Sequence, residues 1–165
     1  MMPSTDRPEQ MMFGPNARLY FKELEKNSSS GKFKILLQKY WLCAYVGMLA
    51  DEKASREEND KWVTPNFPEP LKSNQHLIRA SAFFRYADRL GYTSDDEDDL
   101  LQGMKDFFDD ENRSKLGDEG LDTLDEYAAG GFEIIKKRIP EPNDLSTFLV
   151  DYVNLIEELD GKLAD

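Results

Sequence analysis

Two adjacent glycines stand in the middle of an otherwise helical segment, and they limit what this chain can fold into. Between Leu121 and Ile139 apolar residues recur at steps of three and four, which is the period of one helical face. Gly130 and Gly131 fall inside that period, although each interior glycine costs about 1 kcal/mol relative to alanine. A helix that carries such a pair lets another backbone or a ligand come close to it.

The remaining sequence also has helical periodicity, and the alternation typical of strands is nearly absent. Residues 32–54 are apolar almost all round, which predicts a buried central helix. Three prolines within residues 55–72 exclude a helix interior there, so we predict an extended loop held by Trp62 and Phe67. Further helices are predicted at about 16–27, 73–89, 94–108, 121–139 and 145–163.

These elements predict an all-α fold, a compact bundle of about six helices around the buried central helix. Residues 1–15 lack periodicity and hold three prolines, so they are predicted to form a flexible tail. Residues 16–163 are predicted to form a single helical domain. One helix start is well marked, because Ser94 can cap and Glu97 can complete a capping box.

Charge is distributed unevenly along the chain. Residues 1–90 hold 14 Lys/Arg and 11 Asp/Glu, a net of +3, whereas residues 91–165 hold 7 and 22, a net of −15. An acidic surface repels nucleic acid and attracts basic partners, although a run of acids is also typical of a solvated helix surface. Both interpretations apply to a candidate acidic face made of Asp95, Asp96, Asp98, Asp99, Asp109 and Asp110.

Residues that could carry catalysis are few. His76 is the only histidine and Cys43 the only cysteine, and the cysteine lies in the most apolar segment, where a buried thiol in a reducing compartment is expected. The acids fit neither a calcium loop nor a carboxylate-bridged di-metal bundle. We therefore predict that the chain is not an enzyme, with no catalytic, cofactor-binding or metal-ligating residue.

The longest apolar run also bears on localisation. It covers residues 40–50, whereas a membrane span needs about 20 residues. The first residues carry acid and proline where a signal peptide has basic and then apolar residues. We expect a soluble, cytoplasmic protein that does not contact membranes.

The glycine pair has two interpretations. Small residues admit a crossing helix, so the pair can serve internal packing. Alternatively Glu126, Tyr127, Gly130 and Gly131 form a docking face for another protein. Candidate basic contacts, which could reach phosphate if they were segregated from the acids, are Arg79, Arg85, Arg89, Lys136, Lys137 and Arg138.

Two motifs resemble those of small proteins associated with Dnd-type DNA phosphorothioation modification and restriction systems. The first is Cys43-Ala44-Tyr45-Val46-Gly47, and the second, more specific one is Glu126-Tyr127-Ala128-Ala129-Gly130-Gly131-Phe132-Glu133-Ile134-Ile135. The resemblance covers roughly residues 33–139, and the first motif departs from the family pattern by placing Cys43 where a small apolar residue is usual. It implies a non-catalytic accessory subunit of an anti-phage defence system that acts through larger partner proteins.

A second function fits the acidic composition. Carboxylates of residues 95–126 could imitate phosphates, so that the chain occupies a basic nucleic-acid-binding groove as a DNA mimic or inhibitor. Direct nucleic-acid binding is disfavoured by the net charge of −12 unless a basic patch is segregated from the acids. The sequence predicts no particular oligomeric state.

Overall fold

The computed structural model describes residues 11–33, 35–55, 61–62, 72–140 and 144–164, and this part of the chain contains six α-helices. A short 3₁₀ turn, Lys72–Asn74, precedes the third helix. Two short strands, β1 (Met12–Phe13) and β2 (Lys61–Trp62), pair with each other. The helices are α1 (Pro15–Asn27), α2 (Leu36–Ala50), α3 (Gln75–Arg89), α4 (Glu97–Phe107), α5 (Asp118–Arg138) and α6 (Leu145–Ala164). The predicted all-α class is confirmed.

The chain divides into two units, and the boundary falls within α5. Unit 1 holds residues 1–11 and 62–124, and unit 2 holds residues 12–61 and 125–165. The single helical domain predicted over residues 16–163 stays a prediction beside this grouping of contacts.

Unit 1 is built on an aromatic cluster. The ring of Phe107 at the end of α4 lies 5.4 Å from that of Phe83 and 5.1 Å from that of Tyr86, both on α3. Phe108 then leaves the helix in extended conformation and pairs with Leu116 in an antiparallel bridge. This bridge closes the turn between α4 and α5.

Unit 2 has its own core, formed by α1, α2, α6 and the second part of α5. Phe21 and Phe148 are fully buried with ring centroids 5.7 Å apart. The α2 and α6 helices run in the same direction, because Asp144 before α6 binds the serines before α2, and Tyr152 in mid-α6 donates a 2.7 Å hydrogen bond to the carbonyl of Leu42.

The chain makes defined contacts from residue 11 onwards, within the segment predicted to be a flexible tail. Residues 1–10 lie outside the described residues, but Met11 and Phe13 are buried. The Met12 amide donates a 3.0 Å hydrogen bond to Asp125 Oδ1, and the same oxygen accepts a 2.7 Å bond from the Tyr40 hydroxyl. This stretch is therefore held by a buried carboxylate, which apolar periodicity does not reveal.

The α2 helix is shorter and less buried than the predicted central helix over 32–54. It begins at Leu36 and ends at Asp51, which adopts left-handed backbone angles (φ 52°, ψ 43°) as the C-cap. Seven of its residues are buried, whereas Tyr45 is 39% exposed. The predicted loop at 55–72 lies largely outside the described residues, as does Phe67.

Candidate functional site

The glycine pair lies at a crossing of α5 over α2. A Cβ atom placed on Gly131 would lie 1.7 Å from the carbonyl oxygen of Cys43 and 2.7 Å from the amide nitrogen of Gly47. A Cβ placed on Gly47 would lie 2.0 Å from the carbonyl oxygen of Tyr127. The two backbones therefore touch, and only glycine on both helices permits this approach.

Gly130 serves a second close approach, by the segment that follows α2. A Cβ on Gly130 would lie 2.2 Å from the carbonyl oxygen of Glu52. Two residues further on, the Ala54 amide donates a 3.0 Å hydrogen bond to the carbonyl of Glu126. An ion pair of 3.2 Å between Lys53 and Glu126 lies beside it. Residues 52–54 thus lie along α5, and Gly130 makes room for them.

Tyr127 also joins α5 to the end of α2. Its side chain is fully buried, and its hydroxyl donates a 2.7 Å hydrogen bond to Asp51 Oδ1. The Lys53 ammonium lies 5.4 Å from the centre of the Tyr127 ring. Burial assigns Tyr127 and Gly131 to internal packing, whereas Glu126 of the predicted docking face keeps an exposed side chain and Gly130 lines an open cleft.

The candidate acidic face falls into two shallow depressions of unit 1. Asp95, Asp96, Asp98 and Asp99 surround one at the start of α4. Asp96 accepts hydrogen bonds from the Thr93 amide and hydroxyl, so its carboxylate holds the turn before the helix. The second depression, at the end of α4, is lined by Asp106, Asp109, Asp110 and Asp118 around Leu101 and Met104.

The candidate basic residues do not form one patch. Arg79 is buried and donates 3.2 Å hydrogen bonds to the carbonyl of Ser114 and to Gln75, and burial lowers the pKa of its guanidinium. As a phosphate contact, Arg79 is therefore a wrong prediction. Arg85 is half-buried and Arg89 is exposed, both on α3. Arg138 pairs with Glu158, whereas Lys136 and Lys137 are exposed at the end of α5.

An uncovered apolar surface runs along the neighbouring helices α2 and α6. On α2, Trp41 and Tyr45 are one turn apart, with rings 5.8 Å from each other. On α6, Leu149 and Val153 are one turn apart and are 38% and 52% exposed. Helical residues four apart share one face of their own helix, and α6 contacts α2 through the buried Tyr152. The α2–α6 face consists of Trp41, Tyr45, Leu49, Leu149 and Val153.

The prediction that α2 is buried all round left no place for this face. A signal was present in α6, where Leu149, Val150 and Val153 stand outside the stripe that Phe148, Tyr152 and Leu155 bury. In an amphipathic helix with one buried stripe, apolar residues on the other side do not contribute to the core. They therefore indicate a contact with another molecule.

The α2–α6 face continues into an open cleft of about 950 Å³ in unit 2. Leu49 belongs to both, and Ile134 and Leu159 extend the apolar floor. Four lysines and two glutamates line the rim, namely Lys53, Lys136, Lys137, Lys162, Glu52 and Glu133. Two of these lysines have ion-pair partners outside the lining, since Lys53 pairs with Glu126 and Lys162 with Glu158.

The nucleophile and base candidates have internal roles. Cys43 is fully buried, and its burial raises the pKa of the thiol. His76 Nδ1 lies 2.9 Å from an Arg79 nitrogen. Within the described ranges, no group of three or more His, Cys, Asp or Glu side chains is placed to hold a metal ion. No helix in that part of the chain has the length and apolar character needed to cross a bilayer.

Unit 2 is thus a helical unit with a glycine-based internal crossing, exposed apolar side chains on α2 and α6, and an open cleft rimmed by lysines and glutamates. Comparisons of the chain with protein-family models, curated proteins and solved structures gave no match in any of the three.

Proposed function

We propose that this chain is a non-catalytic interaction subunit that binds a larger protein through the α2–α6 face. The observation that carries the proposal is the exposure of Tyr45, Leu149 and Val153 on neighbouring helices. Contiguous apolar surface on a soluble fold is typical of protein–protein contacts, because water contact with it is unfavourable. Burying one such side chain contributes about 1.5–3 kcal/mol, so a few of them support a stable complex.

The setting we propose is an anti-phage defence system of the DNA modification–restriction type. It rests on the resemblance of residues 126–135 to the motif of phosphorothioation-associated accessory proteins. The motif places α5 against α2, so in this proposal it supports the scaffold that presents the face, and the partner binds elsewhere. The larger protein components of such a system are the expected partners.

Affinity purification from the native host tests this function, with Val153→Glu as the face variant. Leu19→Glu is the matched control, because Leu19 is 55% exposed on α1 and lies outside the face. Partners identified by mass spectrometry are then purified and titrated against each variant. We expect Val153→Glu to lose the partner and Leu19→Glu to keep it, with unchanged circular dichroism. Equal binding by both variants would overturn the proposal.

A second candidate function is an acidic inhibitor that occupies a basic groove. It is favoured by the exposure of Asp95, Asp98 and Asp99 beside one another at the start of α4. Replacing these three carboxylates by amides should weaken binding to a basic partner and flatten its salt dependence. Binding that is unchanged by the triple substitution at low and high salt would eliminate this function.

A further inference from the structure

We infer that unit 1 carries a docking groove for a basic amphipathic helix of a partner protein. The acidic groove, as we name it, is the open depression of about 850 Å³ at the end of α4. Its floor consists of Leu101, Met104 and Phe108, and its rim of Asp106, Asp109, Asp110 and Asp118, with Lys105 and Gly117 completing the lining. The inference goes beyond the proposed function, because all of these residues belong to unit 1 and none to the α2–α6 face.

The floor is an apolar stripe of α4 that the fold leaves in contact with solvent. Gly103 and Phe107 lie one turn apart on the side of α4 that packs against α3, and both are buried. Leu101, Met104 and Phe108 follow one another on a different side at steps of three and four residues, and the first two are exposed. One stripe of α4 therefore serves the core, and the second is free to contact another molecule.

The rim determines the sign of the occupant. Its four aspartates outnumber the single lysine, and none of the four forms an ion pair with a described residue. The Asp106 carboxylate accepts a 3.1 Å hydrogen bond from the side-chain amide of Gln102. The Asp109 carboxylate accepts a 3.0 Å bond from the backbone amide of Glu111. Both donors are neutral, so these bonds do not offset the negative charge.

The residues around the lining do not balance this charge either. The turn after α4 adds two cations and two acids, namely Arg113, Lys115, Glu111 and Glu119. The Lys115 ammonium donates a hydrogen bond to the backbone carbonyl of Asp110. Residues 101–120 hold six acids and three bases, and residues 95–99 add five acids and no base. All of them belong to unit 1, so the sign of the groove does not depend on where unit 2 lies.

The combination of floor and rim favours an amphipathic helix as the occupant. Within the described ranges no three acidic side chains are placed to hold one metal ion, so the charges suit a partner that carries several separate cations. Nucleic acid and anionic membrane surfaces have the wrong sign. A basic amphipathic helix presents cations on both sides of an apolar ridge, and its anchors recur at the same steps of three and four residues as the floor.

A peptide titration with the full chain tests the inference. The probe is a fluorescent helical peptide of about 18 residues with leucines on one face and lysines on the other. The comparison peptide carries glutamates in place of the lysines. We expect the basic peptide to bind about tenfold or more tightly than the acidic one. The rim variant, Asp106→Lys with Asp110→Lys, should lose about tenfold or more in affinity for it, and the floor variant Leu101→Gln about threefold or more.

The matched control for the rim variant is Glu23→Lys with Glu157→Lys. It changes the net charge by the same amount at exposed positions of unit 2, and the affinity should change by less than about threefold. Equal losses in the rim variant and in this control would overturn the groove, because binding would then follow net charge alone. Undiminished binding by Leu101→Gln would overturn the apolar anchoring, and with it the helix. Circular dichroism verifies that each variant is folded.

Further outcomes separate this inference from the proposed function. Loss of peptide binding in Val153→Glu, with no loss in the rim variant, would place the peptide on the α2–α6 face and overturn the acidic groove alone. Loss of the host partner in Val153→Glu with peptide binding intact would support two separate surfaces. Displacement of the peptide by dodecyltrimethylammonium at micromolar concentration would overturn the helix in favour of a small cationic amphiphile.

Discussion

Gly47 and Gly131 set the distance between α2 and α5. Each faces the other helix's backbone, so a methyl group on either would occupy space already taken by a carbonyl oxygen or an amide nitrogen. Backbone atoms cannot rotate out of the way as a flexible side chain can. The clash is removed only if the two helices move apart. The packing that separation would disturb includes Tyr127, whose hydroxyl is fixed on Asp51.

Gly131→Ala should therefore be strongly destabilising, by about 3 kcal/mol or more, because interior overpacking against backbone has no cheap relaxation. Gly161→Ala is the matched control: Gly161 lies within α6, and nothing stands within 4 Å of an added Cβ. It should stabilise the protein by about 0.5–1 kcal/mol. Urea unfolding of both variants measures the two effects, and a mild effect of Gly131→Ala would contradict the crossing.

The buried Asp125 gives a second prediction at this scale. Tyr40→Phe removes the hydroxyl that donates to Asp125 Oδ1 and leaves a buried acceptor short of a partner. We expect a loss of about 1–3 kcal/mol in the free energy of unfolding. Tyr45→Phe, which changes an exposed hydroxyl on the same helix, should stay within about 0.5 kcal/mol of the parent protein. Chemical denaturation measures the free energy of unfolding of both variants. Equal values for Tyr40→Phe and Tyr45→Phe would contradict a structural role of the Asp125 carboxylate.

The sequence placed the glycine pair and its neighbours on one helix correctly, but it left packing and docking open. The reason is physical: periodicity in one helix reports which side is apolar and carries no information about which helix covers it. Gly47 was part of the first motif, yet nothing in its spacing linked it to Gly131. The distinction between the two interpretations came only from the positions of the two backbones.

At the scale of the helix, the start of α6 is held by a cluster around Asp144. Its carboxylate accepts hydrogen bonds from the hydroxyl of Ser30 at 2.5 Å and from the amide of Ser29 at 2.9 Å. The amide of Ser146 in the first turn of α6 donates to the same side chain. These bonds, with that from Ser30 the strongest, hold the pKa of Asp144 well below its usual range.

The lowered pKa predicts how stability depends on pH. A carboxyl group that is ionised more readily in the folded protein stabilises it fully above its ordinary pKa of about 3.9, and loses that contribution as the pH falls towards the folded value. The difference in urea midpoint between the parent protein and Asp144→Asn should thus be constant above about pH 5 and shrink below about pH 4. Ser29→Ala, which keeps the amide that donates to Asp144, should leave most of this pH dependence in place. A difference that grows in acid would refute the role of Asp144.

Helix boundaries show where sequence signals stop being sufficient. The capping box predicted at Ser94 and Glu97 does not form; α4 begins at Glu97, and Asp96 turns its carboxylate back to Thr93. A carboxylate such as that of Asp96 can accept a hydrogen bond from the amides of several neighbouring residues. The sequence alone does not show which of these bonds forms. Similarly the C-cap of α2, Asp51, accepts a hydrogen bond from Tyr127, a partner distant in sequence that local signals do not reveal.

For the whole molecule, fold class was the most predictable property, because helical periodicity is a local signal repeated in every segment. The grouping of contacts into two units was not predictable, since it depends on pairings between segments such as 125–138 and 36–50. The α2–α6 face was predictable in part. Its residues were visibly apolar, but only the folded chain shows that Tyr45, Leu149 and Val153 are exposed.

Net charge gives the last prediction. A chain at −12 repels itself when folded, and this repulsion is spread over many exposed acids, whereas an ion pair such as Lys53–Glu126 opposes it only locally. Salt screens both, and the Debye length falls from about 10 Å at 0.1 M to about 3 Å at 1 M. We expect the repulsion to outweigh the pairs, so the melting temperature should rise between 0.05 M and 0.5 M NaCl.

Two double variants test the sign of this effect. Asp110→Asn with Glu111→Gln removes two exposed acids from the turn after α4, and it should reduce the gain in melting temperature with salt. Lys22→Gln with Lys32→Gln removes two exposed cations and should enlarge the gain. Differential scanning fluorimetry at each salt concentration measures both. A melting temperature that falls with salt in the parent protein would mean that the ion pairs, and not the excess of acids, dominate the electrostatic stability of the fold.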